Sequence, residues 1–524
     1  MPINKEKEDH TATVDSNSEK YDQYSDGDAK KLAEMGYTQD MTRKFSVWSV
    51  LGIGFSLTNS WWAVAGILIT GISSGGPVLL IYGTILLFIV SIGVAGSLSE
   101  LVSALPNAAG QSFWARELAP KRYANLASYT AGWFAWAGSI FACASVALTV
   151  GFALVGCYQL SHPDLITKPW MVVVAYQLVN FLAFFFNCYG RALPTIATIA
   201  LYTSLLSFFI TLIVVPAKAP THQPASFVFT TFINNTGWSR GGIAFITGLI
   251  NTNWGFSCLD TAVHMAEEVP RPERNIPIAI FGTIGIGFAT SWFWIMSMLF
   301  SMTDVAGIAA TATGVPILEL FYQALGQNKA GAIVLEAFII ATGFGCMISC
   351  HTWASRLCWS FSRDRGIPGH HLWVQIHPAL DMPLHAHAHA LSSFLVACLG
   401  LLYLGSYAAI NSIVTGCIVL PYISYAIPIS CLLVRGRANI KPGPFWLGRF
   451  GLLCNVVTLA WTLFTLVMYS FPTVMPVTAD YMNYVSACYG IILLIIVVDW
   501  FVRGRKRYRN QTMHHGLDGE RIGL

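Results

Sequence analysis

The sequence predicts an all-α polytopic membrane protein with about twelve transmembrane helices. Its composition is the first reason: 55% of the 524 residues are hydrophobic and 11% are charged, whereas soluble domains carry about 25% charged residues. The second reason is that apolar runs of about 20 residues recur along the chain, the length needed to cross the hydrocarbon core as a helix. These runs do not alternate in polarity, so they do not favour a membrane β-barrel.

Polar tails flank the apolar part of the chain. Residues 1–44 cannot bury enough apolar surface to fold alone, so we predict a disordered tail. Ten apolar segments occupy a core at 45–434, two more occupy 435–503, and a basic tail occupies 504–524. The twelve predicted segments are approximately 47–72, 77–103, 124–157, 169–188, 194–215, 241–264, 277–302, 331–362, 388–407, 411–434, 448–470 and 484–503.

Basic residues separate the loops between these segments into two alternating sets. The rich set and the C-terminal tail carry Arg116, Lys121, Arg122, Arg191, Arg271, Arg274, Arg363, Arg365, Arg435, Arg437, Lys441, Arg503, Arg505, Lys506 and Arg507. The poor set carries Lys168, Lys218, Arg240 and Lys329. Because basic loops favour the cytoplasmic side, the pattern predicts that both termini are cytoplasmic.

The remaining composition argues against several other classes of protein. A net charge of +4 is too small to indicate nucleic acid binding. The 12 cysteines include no CxxC pair, so neither a zinc site nor a disulfide framework is indicated. No cleavable signal peptide precedes the first apolar segment, and we expect no cofactor.

Apolar segment 1 contains small and polar residues at its centre. Gly52 and Gly54 are followed by Ser56, Thr58 and Asn59. Glycine loosens a helix, and small polar side chains can replace missing backbone hydrogen bonds. We therefore predict a helix break around the two glycines. Close packing between helices through small residues is the alternative explanation.

Apolar segment 6 has a matching interruption, between Trp254 and Asp260, that includes Ser257 and Cys258. Segments 1 and 6 are corresponding members of two halves of five helices each. Paired interruptions at corresponding positions indicate the binding site of a transporter. The sequence thus predicts a transport core in which broken helices 1 and 6 face a central cavity.

Asp260 is a carboxylate in the middle of segment 6, with no second intramembrane charge beside it. Such a charge costs at least ~2.5 kcal/mol and is usually functional or paired. Three roles remain open for Asp260: attraction of a cation, acceptance of a proton, or structural pairing across the break. Glu267 and Glu268 lie at the end of this segment beside Arg271 and Arg274, and are expected to form gate or loop ion pairs.

Aromatic residues are concentrated near the two interruptions. Cation–π attraction makes aromatic rings suitable hosts for a quaternary ammonium ion, which cannot donate a hydrogen bond. Ordinary packing is the alternative for any single ring. The predicted site contains the aromatic residues Trp61, Trp62, Trp136, Trp254, Phe256 and Phe344, together with Asp260, and with Ser56 and Asn59 for a substrate hydroxyl.

Distinctive strings occur at 45–52, 57–61, 71–77, 186–190, 254–260, 350–353 and 443–448. In these strings the chain resembles the fungal choline permeases, the amino acid–choline transporter branch of the amino acid–polyamine–organocation superfamily. Ser99-Glu100-Leu101, Ala266-Glu267-Glu268 and Gly366-Ile367-Pro368 resemble motifs of the wider superfamily. The resemblance covers about residues 33–483.

The resemblance implies a five-plus-five inverted-repeat core followed by two further helices, with substrate bound between helices one, three, six, eight and ten. It implies secondary active uptake of choline, or a related quaternary or primary amine, across the plasma membrane by alternating access. Proton coupling is expected, with Asp260, Glu100 and His351 as candidate carriers. In amino acid members the backbone of helix one holds the substrate carboxylate. Choline has no carboxylate, so the family's binding role transfers more readily to Trp254 and Phe256 in helix six than to Gly52 and Gly54 in helix one.

Three other functions are considered. A permease for 4-aminobutyrate or another amino acid would share the fold, and a transporter-like nutrient sensor would signal through the N-terminal tail. A membrane metalloenzyme is suggested by His385, His387 and His389, with His370 and His371 upstream, although of the first three only His385 and His389 could share a helix face. Because no HExxH-type motif accompanies them, we predict neither a metal site nor enzymatic activity.

Overall fold

The computed structural model of the protein describes residues 27–37, 41, 43, 45–375, 386–406, 408–479 and 481–508. Within these residues the chain is an all-α polytopic membrane protein, as predicted. Nine of its described helices are long and apolar enough to cross a membrane. Three other spans, the first, sixth and ninth, are interrupted or short, which completes the expected twelve.

The spans are numbered here in chain order. Span 1 consists of Val47–Thr58, Ser60–Gly66 and Leu68–Ser73, and span 6 of Gly241–Trp254 and the 3₁₀ helix Leu259–Met265. The others are span 2 (Leu79–Ala104), span 3 (Ala124–Ser161), span 4 (Pro169–Asn187), span 5 (Gly190–Lys218), span 7 (Pro272–Ser301), span 8 (Lys329–Arg363), span 9 (Ala386–Leu401 with Leu402–Leu404), span 10 (Ala408–Arg435), span 11 (Arg449–Met468) and span 12 (Val485–Arg507).

Short elements connect the spans. The loop helices are Gln111–Leu118, Ala225–Thr230, Val305–Ala309, Pro316–Ala324, His370–Trp373 and Arg437–Asn439. Strands Ser74–Gly75 and Ile233–Asn234 pair antiparallel, which ties the end of span 1 to the loop before span 6. Span 3 packs against spans 8 and 10, while span 1 contacts spans 5, 7 and 8. The end of the molecule with the loops after spans 2, 4, 6, 8 and 10 is called the basic face.

The break in span 1 lies at Asn59 and not at the glycines, so that prediction was wrong. Gly52 and Gly54 lie inside the continuous helix Val47–Thr58, whereas Asn59 has a left-handed backbone (φ 32°, ψ 63°). A Cβ on Gly52 would stand 3.0 Å from the carbonyl oxygen of Ala197, and one on Gly54 would stand 2.8 Å from Oγ1 of Thr283. The glycines therefore permit close approach of spans 5 and 7, which is the packing alternative.

Part of the N-terminal tail is ordered, so the prediction of disorder over 1–44 was too broad. Residues 27–34 are helical, and Leu32 and Tyr37 are buried against the basic face. The carboxylate of Asp28 accepts a hydrogen bond from the backbone N–H of Arg271 at 2.9 Å. The buried side chains and this hydrogen bond hold residues 27–37 on the basic face. The polar composition of the tail gave no sign of these contacts.

Span 12 also continues beyond its predicted end. The helix reaches Arg507, inside the predicted basic tail. Tyr508 is buried, and its hydroxyl lies 2.6 Å from that of Ser128 in span 3. Residues 509–524 lie outside the described residues.

Candidate functional site

The interruptions of spans 1 and 6 touch each other. Asn59 in span 1 and Cys258 in span 6 (φ 58°, ψ 36°) both adopt left-handed backbone, which is uncommon for residues other than glycine. The hydroxyl of Ser60 donates a hydrogen bond to the carbonyl of Gly255 at 2.6 Å. A Cβ on Gly255 would stand 2.9 Å from the Cα of Ser60, so the two backbones approach closely at this point.

A small pocket lies beside this junction. Its cavity volume is about 10 Å³, roughly the 10–15 Å³ that one water requires. This central pocket is lined by Leu57, Thr58, Trp62, Ala63, Ala142, Val146, Trp254, Ser257, Cys258, Cys350 and Cys417. The rings of Trp62 and Trp254 pack in a tilted arrangement, with centroids 5.5 Å apart. The pocket thus brings together residues from spans 1, 3, 6, 8 and 10, the spans between which substrate binding was expected.

A larger cavity of about 120 Å³ lies toward the face opposite the basic face, and Trp62 lines both spaces. This outer cavity is mainly apolar, and its wall includes Phe152, Ile340 and Glu336. The indole N–H of Trp62 donates to the carbonyl of Ile339 at 2.9 Å. Trp62 is therefore held as a partition between the outer cavity and the central pocket.

On the basic face, two buried ion pairs join the end of span 6 to span 8. Arg363 donates to both carboxylate oxygens of Glu267 at 2.7 and 3.1 Å. Arg356 donates to both oxygens of Glu268 at 2.5 and 3.0 Å. Gate or loop ion pairs were expected for these glutamates, and the structure pairs them with span 8 and not with Arg271 and Arg274 of their own loop. These bonds close the molecule on its basic face.

The ordered part of the N-terminal tail covers the same ion pairs. The guanidinium of Arg363 lies 4.4 Å from the ring centroid of Tyr37. The Tyr37 hydroxyl donates to the carboxylate of Asp364 at 3.1 Å. Burial raises the pKa of Asp364 to about 6, although Arg363 opposes this change. Burial also raises the pKa of Tyr37, so its hydroxyl stays protonated and donates to a carboxylate that is ionised above about pH 6.

The structure brings only part of the predicted site to the central pocket. Trp62 and Trp254 line it, as do Ser257 and Cys258 of the span 6 break. The remaining predicted substrate contacts do not line this pocket, namely Ser56, Asn59, Trp61, Trp136, Phe256, Asp260 and Phe344.

Trp61 packs away from the pocket, on the opposite side of span 1 from Trp62. Its indole N–H donates to the hydroxyl of Ser204 at 3.0 Å, and its ring packs on Trp294 at 5.8 Å. Successive residues of an α-helix point about 100° apart, since 3.6 residues make a turn. Trp61 and Trp62 therefore point in different directions, and Trp61 packs between spans 5 and 7 and does not line the central pocket.

Trp136 and Phe344 also lie away from the central pocket. Trp136 donates from its indole N–H to the hydroxyl of Ser392 in span 9 at 3.3 Å and packs on Trp133. Phe344 packs edge-on against Phe186 of span 4, with centroids 5.5 Å apart. Both rings fill contacts between spans rather than the central pocket.

Ser56, Asn59 and Phe256 lie at the junction without lining the pocket. All three are buried, with Phe256 1% exposed. The side-chain oxygen of Asn59 accepts a hydrogen bond from Ser204 at 3.1 Å, so Asn59 braces the break against span 5. Thr58 and Ser257 are the hydroxyl side chains in the pocket wall.

Asp260 is fully buried and is held by three side chains. Its carboxylate accepts hydrogen bonds from the Gln111 amide at 2.6 Å and from the Tyr425 hydroxyl at 2.5 Å. His264 Nε2 lies 3.1 Å from the same carboxylate, and His264 Nδ1 lies 2.8 Å from the carbonyl oxygen of Ala108. Asp260 thus belongs to a paired network and does not line the central pocket.

Glu100 and His351 also have structural partners. Glu100 accepts two hydrogen bonds from the guanidinium of Arg437, at 2.8 and 2.9 Å. In His351, Nε2 lies 3.0 Å from the side-chain oxygen of Asn180 and Nδ1 lies 3.1 Å from the Ser393 hydroxyl. Neither residue lines the central pocket, so both predicted carriers lie away from the candidate site.

Several functional candidates were missed in the sequence. Ala142 and Val146 of span 3, Cys350 of span 8 and Cys417 of span 10 line the central pocket but are small or apolar, and no pattern marks them. Glu336 of span 8 is different, because a carboxylate within an apolar run is visible in the sequence.

The histidines suggested as metal ligands are only partly described. His385 lies outside the described residues. The ring of His389 stacks on Phe184, with centroids 4.6 Å apart. Among the described residues, no group of three or more His, Cys, Asp or Glu side chains could hold a metal ion.

Comparisons with known proteins give consistent matches over most of the chain. The sequence model of the amino acid permease family matches residues 45–497. A choline transporter of Saccharomyces cerevisiae is 48% identical over 484 residues, which cover 92% of this chain and 85% of the relative. A swainsonine transporter of Arthroderma benhamiae is 36% identical, covering 90% of this chain and 93% of the relative. A 7-keto 8-aminopelargonic acid transporter of Saccharomyces cerevisiae is 33% identical, covering 87% and 91%.

Proposed function

The chain belongs to the amino acid permease family, and from this premise we propose that it imports choline, or a related quaternary or primary amine, by alternating access. The observation that carries the choice of substrate is the pair of Trp62 and Trp254 rings at the junction of the two broken spans. Similarity to the choline transporter of Saccharomyces cerevisiae supports the same choice.

The central pocket has the chemistry that a methylated cation requires. Its wall is apolar and aromatic, and contains no ionised side chain among the described residues. A quaternary ammonium group is attracted to aromatic faces and needs no acceptor. The hydroxyl of choline does need an acceptor. The Thr58 and Ser257 hydroxyls donate their hydrogens to the carbonyls of Gly54 and Trp254, so their oxygen lone pairs remain free to accept.

Transport requires both ends of the pocket to open in turn. The observed pocket holds about one water, so Trp62 or Trp254 must move to admit choline from the outer cavity. Release on the other side requires the Glu267–Arg363 and Glu268–Arg356 pairs to separate. The described conformation is closed at both ends, which is one step of such a cycle.

We propose that the basic face is cytoplasmic and that the protein lies in the plasma membrane with both termini inside. The concentration of Lys and Arg in the loops of that face supports this orientation. Under this orientation the outer cavity faces the extracellular side, so substrate reaches Trp62 first.

Proton coupling is part of the proposal, with Asp260 and His264 as the carrier. His264 Nδ1 faces a carbonyl oxygen, which can only accept, so Nδ1 carries a hydrogen. The bond between His264 Nε2 and Asp260 then needs a second proton, on either the imidazole or the carboxylate. The pair therefore stores one proton next to the span 6 break, as a coupling site requires.

Uptake of radiolabelled choline tests the proposal. Excess choline should suppress uptake and excess 4-aminobutyrate should not. Trp254→Ala should lower uptake at least about 30-fold at unchanged surface level, since a desolvated cation–π contact contributes ~2 kcal/mol. Trp136→Ala is the matched control, because Trp136 does not line the pocket. Lack of competition by choline, or normal uptake by Trp254→Ala, would contradict the proposal.

Asp260→Asn addresses the coupling separately. It should leave choline binding in place and abolish the stimulation of uptake by an inward proton gradient in vesicles. If the gradient stimulates the variant and the unchanged protein equally, Asp260 and His264 are not the carrier.

A further inference from the structure

Glu336 is a carboxylate that nothing in the transport mechanism above uses. It lies in the extracellular half of span 8 and is fully buried. Neither of its carboxylate oxygens has a hydrogen-bond partner among the described residues. Asp260, Glu100, Glu267 and Glu268 are also buried, but both carboxylate oxygens of each accept hydrogen bonds.

An unpaired buried carboxylate is costly to keep within a membrane protein. Burying it without a partner is unfavourable, and such residues usually mark a substrate or ion path. An amide or an alkyl side chain could fill the same space at lower cost. A role in packing alone therefore does not account for a glutamate at position 336.

The space next to Glu336 is suited to a small organic cation. Glu336 lines the outer cavity, whose volume of about 120 Å³ is roughly ten times what one water needs. Trp62 and Phe152 supply aromatic surface in the same wall, and isoleucines form much of the rest. Aromatic rings with one carboxylate can bind an ammonium head through cation–π and charge attraction.

One face of span 8 connects this cavity to the central pocket. Glu336, Ile339, Ile340 and Gly343 follow the helical spacing of three, four and seven residues, so they share a face. A Cβ on Gly343 would stand 2.5 Å from the ring of Trp62. Cys350, two further turns along, lines the central pocket. At 1.5 Å per residue, Glu336 lies about 21 Å along the helix from Cys350.

We propose that Glu336 and Trp62 form a second cation-binding site, in the outer cavity, which holds the ammonium head of the substrate before Trp62 moves. This outer cation site rests on the proposed transport of an organic cation. It assigns to Glu336 the negative charge that was expected from Asp260. Because Trp62 belongs to both spaces, a cation bound here already contacts the ring that separates it from the central pocket.

Tetramethylammonium is the probe for this site, since it carries the quaternary head without a hydroxyl. We would measure its inhibition of choline uptake, and the KM for choline, in cells with equal surface levels. Glu336→Gln should raise both constants at least about tenfold, a change of ~1.4 kcal/mol. Glu319→Gln is the matched control, because Glu319 lies on the same side but bonds to Thr311 and Gln323 in a loop helix. It should change neither constant by more than about twofold.

A second variant decides the matter if Glu336→Gln does not reach the surface. Asn411 lines the same cavity, and Asn411→Asp adds a negative charge with little change of shape. This variant should lower the inhibition constant of tetramethylammonium several-fold, and an unchanged constant would overturn the proposal.

Other outcomes separate this inference from the proposed function. If the unchanged protein shows no uptake that choline competes for, the proposed function fails. If it transports choline and Glu336→Gln leaves both constants unchanged, only the outer cation site fails. The site is also overturned if Glu336→Gln removes a dependence of uptake on Na⁺ or K⁺ while inhibition by tetramethylammonium stays the same, because Glu336 would then hold an inorganic ion.

Discussion

Replacing Glu268 with glutamine should open the basic face. The side chains of Arg356 and Glu268 are 1% and 6% exposed, and their two hydrogen bonds measure 2.5 and 3.0 Å. Removing one partner of a buried ion pair costs about 3–5 kcal/mol, because the other charge stays buried. If that cost falls on the closed state, the ratio of closed to open molecules drops by roughly two to four orders of magnitude.

Hydrogen–deuterium exchange in the purified protein measures this opening directly. Glu268→Gln should speed exchange of the backbone amides at 259–268 and 356–363, and should lower the maximal rate of choline uptake because the cycle no longer closes. Lys31→Ala is the control, since Lys31 is 53% exposed in its pair with Glu273, and such pairs contribute at most about 1 kcal/mol. Unchanged exchange and uptake in Glu268→Gln would refute the assignment of this pair as a gate.

Two further predictions concern the packing of Gly343 against Trp62 and the burial of Asp364 beside the ion pairs of the basic face. Gly343→Ala should lower choline uptake at least about tenfold, because its Cβ would stand 2.5 Å from the Trp62 ring, whereas Gly285→Ala, with no atom within 4 Å of the new Cβ, should not. Burial raises the pKa of Asp364 to about 6 from 3.8. The folded state therefore binds more protons than the unfolded state between these values, and thermal stability should fall as pH rises through this range. Asp364→Asn should remove that part of the pH dependence in a thermal unfolding series, and an identical slope in the variant would contradict the burial of an ionisable Asp364.

Hydrophobicity was sufficient to predict the architecture. An apolar run must form a helix in lipid because its backbone has no other hydrogen-bond partners. The segment predicted at 331–362 is thus observed at Lys329–Arg363, and the family predicted from the quoted motifs is confirmed by the match over residues 45–497. The ordered tail helix at 27–34 was missed because its stability comes from contacts with the basic face, which no local pattern shows.

The rotation of span 1 could not be predicted. Apolar residues surround this helix and it is buried on nearly every side, so no amphipathic stripe indicates which face meets the pocket. Trp61 and Trp62 are adjacent in sequence, and only packing against Ser204 and Ile339 separates their roles. The position of the break in span 1 could not be predicted either, since glycine permits both a bend in the helix and close packing between helices.

Asp260 and Glu336 carry the same signal in the sequence but have different surroundings in the structure. Both are intramembrane carboxylates, and the sequence alone indicates a function or a partner for each. The paired interruptions point to Asp260, whose carboxylate is bonded by Gln111, Tyr425 and His264 in the structure. Glu336 lies outside those spans, so the paired interruptions do not point to it, but it lines the outer cavity.

A structure of the protein determined with choline bound tests the central claim most directly. We expect the choline nitrogen between the rings of Trp62 and Trp254, within about 6 Å of both centroids, with the hydroxyl directed to Thr58 or Ser257. Choline bound beside Trp61 or Trp136, with the Trp62–Trp254 pair still in contact, would contradict it.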